Sequence, residues 1–180
     1  DYLHSVDLKE LVFERIVPFV ELSRVPCELD LVLAPHTSPV YARYTDVGRA
    51  LVNLVSNSLD AIEEAGRPGV IRISLAEREE RVVLTVEDNG TGMEPERLER
   101  GPDGLPAFVG RSTKAHRVGE GQGTRQVFAT FGAENIEVRS ETGRFTRWTI
   151  SLPRRSSQEE SLLRPLEQRY RALKELAVFP

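Results

Sequence analysis

Four polar residues within residues 45–66 (TDVGRALVNLVSNSLDAIEEAG) are spaced to act together. Asn53, Asn57, Asp60 and Glu64 recur at intervals of 4, 3 and 4. On a helix at ~100° per residue they share an arc of roughly 60°. A solvated edge is the ordinary reading of such a stripe. Two asparagines in a helix interior argue against it, because Asn competes for backbone hydrogen bonds and is a poorer helix former than Glu, Lys or Arg. The stripe raises the question of what those amides and carboxylates hold. A second group is residues 88–93 (DNGTGM). There an acid at a strand end precedes glycines that let a backbone approach something flat. The third is residues 119–123 (GEGQG), which run into a helix. Free N–H groups and the helix dipole at such a start favour phosphate. No Lys-Ser/Thr follows, so this is not a P-loop. Arg111 and Lys114, in the glycine- and proline-broken segment before it, are the cations best placed to reach phosphate, though either alone fits a solvated surface charge.

The elements that must hold these residues are legible in the pattern. Val47, Leu51, Leu54, Val55, Ser58 and Ile62 form the core stripe of the central helix, capped by Thr45 or Asp46 and stopped by residues 66–69 (GRPG). Before it, residues 6–22 read as a helix capped by Asp7, which Pro18 should bend or end. Residues 27–33 alternate as a half-buried strand does, and residues 40–42 fit a short strand. After it, residues 70–76 and 81–87 read as an antiparallel hairpin feeding directly into Asp88. Residues 94–123 are broken by glycine and proline, as in a functional lid or a disordered region. A helix over 124–131 and a hairpin of 135–140 with 145–152 follow. The expected fold is α+β, a two-layer α/β sandwich with a mixed, mostly antiparallel sheet covered on one face by helices. Residues 1–153 make the domain. Residues 154–180 form a tail in which Leu162, Leu163, Leu166, Tyr170, Leu173, Leu176 and Ala177 mark an extra amphipathic helix.

Composition narrows the function classes. With 180 residues, 39% hydrophobic and net charge −4, the chain can bury a real core but lacks the basic surface of a dedicated nucleic-acid binder. One cysteine, Cys27, excludes an internal disulfide and fits a reducing, cytoplasmic setting. No apolar run approaches the ~20 residues of a membrane span, so this stretch is expected to make no membrane contact. It opens at Asp1 rather than Met, as a fragment of a longer protein would. Whether that parent is membrane-anchored stays open.

Taken together, in this order and spacing, the three groups resemble the ATP-binding catalytic domain of sensor histidine kinases, within the GHKL (Bergerat-fold) ATPases. Residues 53–61 (NLVSNSLDA) look like the N box, residues 88–93 are a close match to the G1 box, residues 119–123 are similar to the G2 box, and residues 108–114 to the F box of the lid. The resemblance covers residues 6–153 and leaves out the tail. It implies ATP and Mg²⁺ as cofactors. Asp88 would accept the adenine amino proton, with Gly90, Gly92 and Met93 beside the base. Asn57 would ligate Mg²⁺. Asn53 and Asp60 would serve the phosphate and metal surroundings, Gly119, Gly121 and Gly123 would cradle phosphates under the ATP lid, and Arg111, Lys114, Gln122 and Thr124 would complete the ATP-binding set.

In the hydrolytic branches of that superfamily a Glu stands four residues before the Mg²⁺-binding Asn. Here the residue is Asn53, which is no general base at neutral pH. The resemblance therefore implies transfer of the γ-phosphate to a histidine, supported by Asn53 and Lys114, with no catalytic nucleophile in this stretch. His4, His36 and His116 lack the expected acceptor context, so the acceptor belongs to an upstream dimerisation domain. A response-regulator receiver domain is the implied onward partner. Gln122 and Thr124 stand where the family usually has bulky apolar residues. They leave open a degenerate kinase acting as a nucleotide-binding scaffold. A GHKL ATPase drawing its base from elsewhere is the third reading.

Overall fold

The computed structural model describes residues 3–109 and 122–155, together with Pro165 and Gln168. The chain opens with a short strand β1 (His4–Val6), which the helix expected from residue 6 did not include. Helix α1 (Leu8–Leu11) starts at Asp7, whose Oδ1 accepts from the backbone amides of Lys9 and Glu10 at 2.8 and 3.3 Å. That is the expected cap. A π-helical stretch (Val12–Ile16) then leads into α2 (Val17–Glu21). Pro18 falls in the first turn of α2, directly after the π-helical stretch. It does not end the helix, which continues to Glu21.

Strand β2 (Cys27–Leu33) and short β3 (Val40–Ala42) precede the central helix α3 (Tyr44–Ala65). Its N-cap is Arg43, two to three residues before the expected caps, and makes no side-chain cap bond. Its C-cap is Gly66 at φ +62, the left-handed stop that glycine takes without strain. Strands β4 (Gly69–Arg78) and β5 (Arg81–Asp88) form the expected hairpin. A one-turn helix α4 (Pro95–Leu98) opens the lid region, α5 (Gln122–Phe131) follows the undescribed residues, and β6 (Ile136–Glu141) and β7 (Phe145–Pro153) close the domain. Of the expected tail helix, Pro165 and Gln168 are helical and exposed, and its other positions lie outside the described residues.

The main sheet runs β2-β4-β5-β7-β6, and β1 pairs with β3 in a separate two-stranded sheet. β2 pairs with β4 in parallel and the other pairs are antiparallel, so the sheet is mixed and mostly antiparallel. Helices cover one face. Leu51, Leu54, Val55 and Ile62 of α3 are at most 2% exposed and meet Ile71, Ile73, Leu75 and Leu84 of the sheet. Each such side chain contributes roughly 1.5–3 kcal/mol on burial. Alternation fixes which strand residues face this layer. In β5 they are Val82, Leu84, Val86 and finally Asp88.

Candidate functional site

The last inward position of β5 is therefore a carboxylate, 3% exposed, at the edge of an apolar layer. Its Oδ2 accepts from Ser58 Oγ of α3 at 2.9 Å, and its Oδ1 accepts from the Gly90 amide at 2.9 Å. Burial pushes the Asp88 carboxyl from 3.8 up to about 6, against the opposing pull of the Gly90 amide and the Ser58 hydroxyl. A carboxylate oxygen has more lone pairs than these two donors use. The arrangement is thus a desolvated acceptor, ionised at neutral pH.

The loop after Asp88 is held close to its neighbours on both sides. Thr91 N donates to Ala61 O of α3 at 3.2 Å, and Gly143 N donates to Thr91 O at 2.6 Å. A Cβ on Gly90 would lie 2.6 Å from the Cβ of Ala61. Gly92 has φ +66, and a Cβ there would overlap the carbonyl oxygen of Glu141. Only glycine fits that position on both counts. Met93 N donates to Ser140 Oγ at 2.8 Å, so the start of the lid region is tied to β6.

The far end of the site is built where α5 crosses α3. Asn53 is half-buried, and its Nδ2 donates to Gln126 Oε1 of α5 at 2.9 Å. Gly123 comes so close that a Cβ would stand 3.3 Å from Asn53 Cγ. Asn57, one turn along, is exposed, and Asp60 is half-buried. Gln122 is exposed at the beginning of α5, with Thr124 half-buried, while Val127, Phe128 and Phe131 form its buried face. Phe108 is buried against Phe128 and edge-on to Trp148, with the latter ring centroids 5.5 Å apart. Phe108, before the undescribed residues, and Phe128, after them, thus share one aromatic cluster with Trp148.

The structure thus brings Asp88 and Gly90 to one part of α3, at Ser58 and Ala61, sets Gly92 against Glu141 of β6, and brings Gly123 to another part of α3, at Asn53. Arg111, Lys114, Gly119 and Gly121 lie outside the described residues. Three participants escaped the sequence reading of the polar site. Ser58 was assigned to the core stripe, though a hydroxyl there signals a buried partner. Gln126 is one turn into α5 from Gly123 and was open to the helical spacing that found the α3 stripe. Arg67 was passed over as part of a turn.

The fold, with the glycine-bearing loop after Asp88 and the start of α5 both set against α3, is that of a nucleotide-binding ATPase class, as the family match shows. The family model for histidine kinase-, DNA gyrase B-, and HSP90-like ATPases matches residues 42–156, and the chain belongs to that family. Sensor histidine kinase RppB of Synechocystis sp. (strain ATCC 27184 / PCC 6803 / Kazusa) is 28% identical over 149 residues, 81% of this chain and 32% of that protein. The chain spans about a third of the length of this curated relative. Among solved structures, the catalytic domain of histidine kinase ThkA has a TM-score of 0.65 at 20% identity, covering 86% of this chain and 97% of that one. The histidine kinase domain of the E. coli osmosensor EnvZ has a TM-score of 0.60 at 20% identity, covering 87% and 92%. These likenesses establish the fold as that of a histidine kinase catalytic domain. Among the described residues no helix is long and apolar enough to cross a membrane.

Proposed function

We propose that this chain is the ATP-binding catalytic domain of a two-component sensor histidine kinase, acting in the cytoplasm. In this reading the adenine amino group donates to Asp88, and the base lies against the Gly90–Gly92 backbone. The triphosphate runs along α3 toward Asn53 and the start of α5. Ser58 and Asn53 are five residues apart, roughly 7.5 Å along the helix axis, which suits a nucleotide lying lengthwise. Among the described residues no cluster of three or more His, Cys, Asp or Glu could hold a metal by itself. That suits Mg²⁺, which takes one or two protein oxygens and completes its shell with phosphates and water. The exposed amide oxygen of Asn57 is the proposed protein ligand, and the bound ion would neutralise phosphate charge.

The observation that carries the proposal is the chemistry at position 53. An amide, held by another amide at Gln126, faces the phosphate end. It can orient and donate but cannot deprotonate water. Transfer to a histidine needs no such base, because the imidazole is already a nucleophile and catalysis reduces to positioning and charge neutralisation. The acceptor histidine then belongs to another domain of the parent, and the phosphate passes onward to a response-regulator receiver domain. The test is incubation of the full-length parent with γ-labelled ATP. Acid-labile label on a histidine is expected, whereas steady phosphate release without label contradicts the reading. A scaffold that binds nucleotide without efficient transfer is favoured by one observation: Gln122, at the hinge of the lid, is exposed rather than packed. ATP binding with no label would select it.

A further inference from the structure

Arg67 stands just past the α3 stop, and its guanidinium is used entirely on main-chain oxygens. Nε and Nη2 donate to Asn89 O at 3.1 and 2.6 Å. Nη2 also reaches Gly90 O at 3.2 Å, Gly143 O at 2.9 Å and Arg144 O at 3.4 Å. These acceptors come from two loops more than 50 residues apart in sequence: the one following Asp88 and the turn between β6 and β7. We infer that Arg67 is the positioning residue of the base-binding loop, bracketing it against the β6–β7 turn so that the site holds its shape for adenine. The inference rests on the proposed placement of adenine at Asp88.

The packing explains why a bracket is needed. The loop is wedged between Ala61 of α3 and Glu141 of β6, with Gly90 against the first and Gly92 against the second. Among the described residues two backbone bonds cross these contacts, Thr91 N to Ala61 O and Gly143 N to Thr91 O. Nothing in Gly90 or Gly92 can grip a neighbour by a side chain. Nη2 reaches carbonyls of both loops, and the rigid fork adds the Nε bond to Asn89 O, a second fixed donor that the single nitrogen of lysine does not supply. Asn89 fixes the same segment from the other side, with its Oδ1 accepting from Val70 N at 2.8 Å and its Nδ2 donating to Pro68 O at 3.1 Å. Arg67 therefore acts through backbone placement and not by touching the nucleotide.

The test is titration calorimetry of the 180-residue chain with ADP and GDP, comparing wild type, Arg67→Lys, Arg67→Ala and Asp88→Asn. Arg67→Ala is expected to weaken ADP binding by about tenfold and to narrow the ADP-over-GDP preference, since a loop displaced by a fraction of an ångström no longer fits one base. Arg67→Lys should fall between, and should serve as the readout if Arg67→Ala does not fold. In the Asp88→Asn background the Arg67 effect should shrink, because both act on the same contact. Unchanged affinity and base preference in the Arg67 variants, with Asp88→Asn impaired, would overturn the role of Arg67 and leave the site intact. Asp88→Asn binding ADP as tightly as wild type would instead overturn the base site, and the inference with it.

Discussion

Ser58 Oγ donates to Asp88 Oδ2 at 2.9 Å across the interface of α3 and β5. This bond makes the end of one strand and the middle of one helix a single polar unit inside an apolar layer. The hydroxyl holds the carboxylate without neutralising it, so the desolvation cost persists, as the raised carboxyl shows.

That cost predicts a pH dependence of stability. The folded carboxyl titrates at about 6, above its unfolded value of 3.8. Between these values the unfolded chain has released a proton that the folded one still holds. Stability from this group is therefore full below 3.8, falls as pH rises to about 6, and is absent above it. Two units correspond to at most about 3 kcal/mol. Urea denaturation at pH 4, 5, 6 and 7 should show this decline in the wild type and a flatter profile in Asp88→Asn. Identical profiles would show that Asp88 is not desolvated.

Nucleotide binding should run the other way with pH. If the adenine amino group donates to Asp88, the ionised carboxylate is the better acceptor. Affinity for ADP should rise between pH 5 and 7 and level off above. Asp88→Asn should lower affinity by on the order of 1–3 kcal/mol and lose this rise, as measured by calorimetry.

Gly92 and Gly104 make a matched pair. Both have positive φ, +66 and +74, but only Gly92 faces a backbone oxygen, that of Glu141. Gly104→Ala should cost the strain alone, on the order of 1 kcal/mol, and leave nucleotide binding intact. Gly92→Ala should cost more, on the order of 2–4 kcal/mol, because the loop must also move, and should abolish binding. Thermal melts and ADP titrations of both variants check this.

Asn57 gives the metal prediction. Wild-type affinity for ATP should fall when Mg²⁺ is removed with chelator. Asn57→Ala should show a smaller fall, on the order of a tenth of the wild-type ratio, since one oxygen ligand is gone. Equal Mg²⁺ dependence in both proteins would remove Asn57 from the metal's shell.

Much of this was open to reading from residue order. The α3 stripe, the β4–β5 hairpin and the glycine loops follow from periodicity and from residues with one conformational use. The alternation ending at Asp88 already assigns its side chain to the core face. Other features depend on contacts that no local pattern encodes. The alternation of residues 27–33 shows a half-buried strand but not that its partner β4 runs parallel, which the α3 crossover decides. α3 starts at Tyr44 with no side-chain cap at Arg43, so the capping residues Thr45 and Asp46 do not mark its start. The bonds of Asn53 to Gln126 and of Arg67 to Gly143 join positions more than 70 residues apart, and neither end announces the other.

The most direct test of the nucleotide site is titration of the 180-residue chain with Mg-ATP and Mg-GTP, alongside Asp88→Asn. One site with preference for ATP, weakened by the substitution, is the predicted result. No ATP binding by the folded wild-type chain would contradict it.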